Sequence, residues 1–216
     1  MRLLFIIATV GLVFAAQGPS SAETTLRGDC RVLLEEERQD RDAVALQLDL
    51  ARSELVAAEE VFGLLDKLWK SDAVERLRFL TGKHQRDRAA IIVERLEQLL
   101  TQQESLIEQY RLICDARGSG EPSGEGQRSI DRAWRRYRRA ECEVRARDLA
   151  LAEVDLAYHL EVLASFRDLR EHDVATRQDI VYSERDVEMS RKELAQAKML
   201  VESCRQELGE EAPPGQ

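Results

Sequence analysis

The four cysteines of this chain lie at equal distances from two predicted helix breaks. Cys30 and Cys114 are centred on position 72, and Cys142 and Cys204 on position 173. Residues equidistant from the turn of an antiparallel hairpin face each other, and a disulfide needs Cα atoms about 4.4–6.8 Å apart. The spacing therefore predicts two helical hairpins, each with a disulfide near its open end.

Long helices are predicted on both sides of these breaks. No proline interrupts residues 23–121 or 123–212. Apolar residues recur in alternating steps of four and three, the 3.5-residue repeat of coiled coils. In the first helix this stripe comprises Val44, Leu48, Ala51, Leu55, Ala58, Phe62, Leu65 and Trp69. The predicted fold class is all-α, with two long coiled-coil-like antiparallel hairpins.

The two helix breaks carry different cap signals. The first falls at Lys70–Asp72, where we expect Asp72 to cap the next helix, with Glu75 completing a capping box. The second falls near positions 171–173, and Thr176 with Asp179 offers a further cap just beyond it.

The cysteines alone leave the connectivity open. Four cysteines allow three pairings. Cys30 with Cys204 and Cys114 with Cys142 would suit a single elongated four-helix bundle, which is the alternative fold. Free buried thiols are the other alternative.

The chain divides into five predicted segments. Residues 1–22 read as a signal peptide, 23–117 as hairpin 1 and 118–127 as a flexible Gly/Ser/Glu linker; residues 128–208 form hairpin 2 and 209–216 a disordered tail. The signal combines Arg2, a short apolar run and small residues before position 23. That run spans Leu3–Ala16, too short for a membrane-spanning helix of about 20 residues.

An export signal and four cysteines predict an oxidising compartment. Arginine outnumbers lysine 27 to 5, a bias associated with GC-rich bacterial genomes. We therefore expect the periplasm of a Gram-negative bacterium, or secretion otherwise. The full chain carries −9, and loss of Arg2 makes the mature form −10, which argues against general nucleic-acid binding.

One segment, residues 128–147, reverses this acidic balance with eight arginines against three acidic residues. Its candidate face for an anionic partner comprises Arg128, Arg132, Arg135, Arg136, Arg139, Trp134 and Tyr137. The alternative is internal pairing, with carboxylates of the same helix or with Glu35, Glu36, Glu37, Asp40 and Asp42 near the start of the first helix.

A second candidate contact lies at the tip of hairpin 1, where Phe62, Leu65 and Trp69 cluster in the sequence. They either cap the hairpin's own core or form an apolar tip that engages another helix bundle or a membrane surface.

The sequence contains no pattern that identifies an enzyme. The three histidines have no ligand-like spacing, and Cys-x-x-Cys, P-loop and Gly-x-Ser-x-Gly motifs are absent. We expect no catalytic residues, metal, cofactor or small-molecule substrate.

The expected function is a non-enzymatic structural scaffold or protein-interaction adaptor that binds protein partners, itself among them, through helical surfaces. Membrane contact is expected to be peripheral if it occurs. The alternatives are a holdase-like periplasmic chaperone and a peripheral envelope protein that binds anionic lipid through the arginine-rich face.

Overall fold

A computed structural model describes residues 30–118 and 124–209. The predicted signal peptide, part of the predicted linker and nearly all of the predicted tail lie outside these residues. The described chain forms four helices and contains no strand: α1 Cys30–Lys70, α2 Arg76–Gly118, α3 Gly124–Glu171 and α4 Arg177–Glu207. The all-α prediction is confirmed.

Both predicted disulfides are present. Cys30 is bonded to Cys114 with a Cα–Cα distance of 5.9 Å, and Cys142 to Cys204 at 5.6 Å. Hairpin 1 is therefore α1 with α2, and hairpin 2 is α3 with α4. Helix α3 begins at Gly124, so residues 124–127, expected in the linker, form its first turn.

The four helices form an open row rather than a closed bundle. Within the described residues, α1 packs only on α2, α4 packs only on α3, and α2 packs on α3 to join the hairpins. The alternative of a four-helix bundle with Cys30–Cys204 and Cys114–Cys142 bridges is therefore wrong. Helices α1 and α4 are the two edges of the row.

The apolar stripe of α1 meets α2 as its heptad spacing predicts. Leu48 and Ala51 pack with Val93 and Leu96 in the core of hairpin 1. Partly buried residues extend this core on both helices; they are Leu55, Ile92, Leu99 and Leu100. Burial of such side chains stabilises by roughly 1.5–3 kcal/mol each.

Hairpin 2 has a more polar interior. Ser183 and Ser190 are buried on α4 on either side of the buried Val187, between the turn and the disulfide at Cys204. The hydroxyl of Ser190 lies 2.7 Å from Nδ1 of His159 on α3, so its burial is accompanied by a hydrogen bond.

The hairpin turns share one geometry. Asp72 follows α1 with φ of 54°, and Asp173 follows α3 with φ of 57°. The expectation that Asp72 caps the start of α2 is wrong, because Asp72 donates its N–H back to the Trp69 carbonyl and α2 begins at Arg76. The cap predicted for α4 is confirmed, because Thr176 and Asp179 form a capping box.

Candidate interaction surface

The first half of the arginine-rich segment lies where α3 extends past the end of α4. Arg138 pairs with Glu207, the last residue of α4, one turn before the Cys142–Cys204 bridge. Residues 124–137 of α3 therefore continue beyond the end of α4, while α2 still packs alongside them. The side of α3 that meets α4 further along is left uncovered by the described residues over this stretch.

Four of the eight arginines of this segment pair with carboxylates of α2, α3 or α4. These pairs are Arg136–Glu108 at 2.7 Å, Arg138 with Glu141 at 2.5 Å and with Glu207, Arg145–Glu141 at 2.7 Å, and Arg147–Glu94 at 3.2 Å. Arg136 was expected in the candidate face, and it is exposed, but its charge is already partnered by Glu108 across the α2–α3 interface.

The other four arginines, which we call the arginine face, point into solvent: Arg128, Arg132, Arg135 and Arg139. Arg132 donates to the hydroxyl of Ser129 at 2.9 Å. None of the four lies within 4.0 Å of a carboxylate of residues 30–118 or 124–209. Their spacing of four, three and four residues sets them along one side of a continuous helix, as predicted.

Trp134 adds an exposed aromatic side chain beside the arginine face. It is 46% exposed, stacks on Tyr137 with 5.4 Å between ring centroids, and lies 5.6 Å from the guanidinium carbon of Arg138. Tyr137 is half-buried, and burial raises the pKa of its hydroxyl. Of the two aromatic residues expected in the face, Trp134 is therefore exposed, and Tyr137 is half-buried and packs against the Trp134 ring.

The acidic start of α1 does not pair with the arginine face. Helix α1 packs only on α2, and Glu35 and Asp42 pair locally with Arg38 and Arg41. Glu37 is the residue of this group that turns inward. Burial, followed by the charges of its acidic neighbours, raises the pKa of Glu37.

The predicted tip cluster packs mostly into hairpin 1. Leu65 is 7% exposed and lies against Gly82 of α2. Phe79 of α2 stacks on Trp69 with 5.1 Å between centroids and lies 5.6 Å from Phe62. Trp69 keeps 38% of its surface exposed, so it is the member of the cluster best placed to touch a partner.

A polar cluster between α2 and α3 was not identified in the sequence. Asp155 accepts two bonds from Nη1 of Arg88, at 2.9 and 2.7 Å, and lies 2.7 Å from Nε2 of His84. The His84 ring stacks on Tyr158 at 4.1 Å, and the Tyr158 hydroxyl lies 3.1 Å from that of Thr81. Only the register of α2 against α3 brings these residues together, and the predicted ten-residue linker left that register open.

Burial alone would raise the pKa of Asp155, but the hydrogen bond with His84 and the charge of Arg88 outweigh it and hold the pKa below its ordinary value. Asp155 is thus an ionised carboxylate of α3 with three short contacts to α2. These contacts join the two helices.

Within the described residues, no group of three His, Cys, Asp or Glu side chains is arranged to hold a metal ion. Over the same residues, no helix combines the length and apolar character needed to cross a membrane. Comparisons with protein-family models, curated proteins and solved structures find no match to this chain.

Proposed function

We propose that this chain is an exported, periplasmic helical scaffold or adaptor without catalytic activity, and that its arginine face binds an acidic surface of a protein partner. One observation carries the proposal. Four neighbouring arginines are exposed without a carboxylate partner in the described chain, whereas the other four arginines of the same segment are paired.

The contrast between the two sets of arginines supports a binding role. Where α2 and α4 reach α3, they supply carboxylates such as Glu108 and Glu207. Arg128, Arg132 and Arg135, beyond the end of α4, have no such partner, and neither does Arg139 beside it. Guanidinium groups bind carboxylates through two parallel hydrogen bonds, and arginine and tryptophan are enriched among the residues that dominate binding energy.

The disulfides are consistent with the periplasmic location in this proposal. Two disulfides, with Cα–Cα distances of 5.9 and 5.6 Å, are compatible with an exported protein in an oxidising environment. The open row of helices offers long surfaces for partners; α3 alone, with 48 residues, extends for about 72 Å.

Charge reversal tests the arginine face directly. Arg128, Arg132, Arg135 and Arg139 are changed to Glu, and binding to an immobilised poly-glutamate peptide is measured by surface plasmon resonance at increasing salt. We expect salt-sensitive binding of the wild type and its loss in the variant. The matched control changes four exposed cations of α4 to Glu: Arg185, Arg191, Lys198 and Arg205.

Both variants change the net charge equally, so a general charge effect would weaken both alike. That outcome, or unaltered binding by the arginine-face variant, would refute the proposal. Circular dichroism of each oxidised variant verifies that the helices remain folded.

The exposure of Trp134 favours a second candidate, the anionic headgroups of a lipid surface. An exposed tryptophan among arginines suits the boundary between headgroups and acyl chains. Sedimentation with phosphatidylglycerol vesicles, with phosphatidylcholine vesicles as the neutral control, separates the two candidates. Binding to the anionic vesicles that requires Trp134 and the arginine face, without binding to poly-glutamate, would favour the lipid.

A further inference from the structure

Helix α1 carries a second apolar stripe on a side that no described helix covers. All of its positions are exposed, and Leu46, Leu50 and Leu64 are 64, 59 and 62% exposed. The stripe comprises Leu46, Leu50, Ser53, Ala57, Val61, Leu64 and Leu68. Steps of three and four separate these residues, so they form an apolar seam about 33 Å long on one side of α1, without a partner in the described chain.

The opposite edge of the row is different. The comparable exposed line on α4 comprises Val181, Arg185, Glu188, Lys192, Ala195 and Met199. Three of these six residues are charged, whereas the α1 stripe has no charged residue and six of its seven members are apolar. Helices α1 and α4 are both edge helices of the row, but only the α1 stripe is free of charged residues. Exposure at an edge of the row therefore does not explain the apolar character of the α1 stripe.

The α1 stripe is symmetric about Ala57. Its members lie 4, 7 and 11 residues before and after that position, so an antiparallel second copy would set Leu50 against Leu64 and Leu46 against Leu68. The small side chain of Ala57 would lie at the centre, where two helices approach most closely. We propose that a second copy of this chain packs antiparallel on the α1 stripe, with the two-fold axis at Ala57.

Charge also favours the antiparallel arrangement. Asp49 and Lys67 lie on the same flank of the stripe, each one residue before a leucine of the seam, and their midpoint is position 58, next to the proposed axis. A two-fold axis perpendicular to the helix brings Asp49 of each copy beside Lys67 of the other. A parallel arrangement would instead bring together the acidic residues near the start of α1 in both copies, including Glu35, Glu36 and Asp42.

One apolar edge and one charged edge predict a closed dimer. An isologous contact uses the same surface on both copies and ends there, whereas two complementary edges would generate an open filament. The arginine faces lie on α3, two helices away from the contact. This inference therefore goes beyond the proposed function, and either can fail without the other.

Sedimentation equilibrium of the oxidised protein tests the contact. We expect a dimer at micromolar concentration, and we expect Leu50→Glu with Leu64→Glu to raise its Kd at least about tenfold by placing carboxylates in the seam. The matched control, Val181→Glu with Met199→Glu on α4, should leave the dimer intact. A monomeric wild type, or equal effects of both double variants, would overturn the proposal.

Cysteine cross-linking tests the register. Ala57→Cys should form a disulfide-linked dimer under mild oxidation. Leu46→Cys should not cross-link to itself but should cross-link to Leu68→Cys in a mixture of the two variants. A disulfide between two copies of the Leu46→Cys variant would indicate a parallel contact. If no cross-link forms at Ala57, between positions 46 and 68, or between two copies of position 46, this seam is not the contact. Arginine-face variants should cross-link normally, so loss of acidic-partner binding and loss of the dimer remain distinguishable.

Discussion

Asp72 and Asp173 adopt the same left-handed backbone conformation, and each lies at the midpoint between two bonded cysteines. Their φ angles are 54° and 57°. In each turn the N–H of the next residue reaches back to a carbonyl five positions earlier, Ala73 to Leu68 at 2.8 Å and Val174 to Leu169 at 2.9 Å. This is the Schellman ending of a helix. The two hairpins thus turn in one way, although the residues around the turns differ.

The left-handed residues give a first prediction. Asp72→Gly or Asp173→Gly should raise the free energy of unfolding by up to about 1 kcal/mol, because glycine adopts positive φ without a Cβ clash. Asp72→Val should lower it, since a β-branched residue is strained there. Urea unfolding of the oxidised protein, followed by circular dichroism, measures both changes. Equal stability of the Gly and Val variants would contradict the turn geometry.

The disulfides give a second prediction. They close loops whose ends are separated by 84 and 62 residues, so in the chain-entropy model each stabilises the fold by about 4 kcal/mol. Replacing both members of either pair by Ser should lower Tm sharply, and dithiothreitol should do the same to the wild type. An unchanged Tm after verified reduction would show that the bridges do not stabilise the hairpins.

Most of the fold could be predicted because two sequence features determine it: the local heptad spacing of apolar residues, and cysteines placed at equal distances from each turn. Heptad spacing marked the buried stripe of α1, and cysteines equidistant from a break can bond only if the helices between them are antiparallel. The exact turn residues were harder to predict. Asp72 satisfies the sequence preference for an N-cap, but Asp also tolerates the left-handed conformation, and the structure uses Asp72 to end α1.

The surfaces were less predictable than the fold. The spacing of Arg128, Arg132, Arg135 and Arg139 identified one side of α3, but the internal partner of Arg136 depends on the packing of α2 against α3. The contact of Asp155 with His84 and Arg88 depends on the same register. The composition of the segment between α2 and α3 does not determine how the two helices are aligned. Contacts between residues on α2 and α3 could therefore not be predicted from the sequence.

Two helix-interior glycines give a third prediction. A Cβ at Gly82 would overlap Cδ1 of the buried Leu65, whereas a Cβ at Gly63 would meet nothing within 4 Å. Gly63→Ala should therefore stabilise by about 1 kcal/mol through helix propensity. Gly82→Ala should lose that gain, because repacking Leu65 costs about 1–3 kcal/mol.

Chemical denaturation compares the two glycine variants under identical conditions. Leu65→Ala removes the clashing methyl groups, so Gly82→Ala should become stabilising in that background. Equal stabilisation by both alanines in the wild-type background would show that Leu65 does not pack against Gly82.

Glu37 gives a fourth prediction. Because its folded pKa is raised above the ordinary 4.5, the ionised side chain destabilises the fold at neutral pH, and this cost disappears as pH falls through the folded pKa. Glu37→Gln should therefore raise the free energy of unfolding at pH 7, by less than about 1 kcal/mol since solvent screens a half-exposed group. Urea unfolding at pH 7 and below pH 4 measures the change. A destabilised variant at pH 7 would contradict the environment assigned to Glu37.

Asp155 gives the fifth prediction, with the opposite sign. Its folded pKa lies below the ordinary 3.8, so its stabilising contribution is complete at neutral pH and is lost as pH falls below about 4 through the folded pKa. Asp155→Asn should lower the free energy of unfolding at pH 7 by about 2 kcal/mol, because Arg88 and His84 lose a charged acceptor. The difference from wild type should shrink at pH 3. Asp186→Asn, at an exposed position of α4, is the control and should change little at either pH. An Asp155→Asn variant as stable as wild type at pH 7 would show that this carboxylate does not hold α2 against α3.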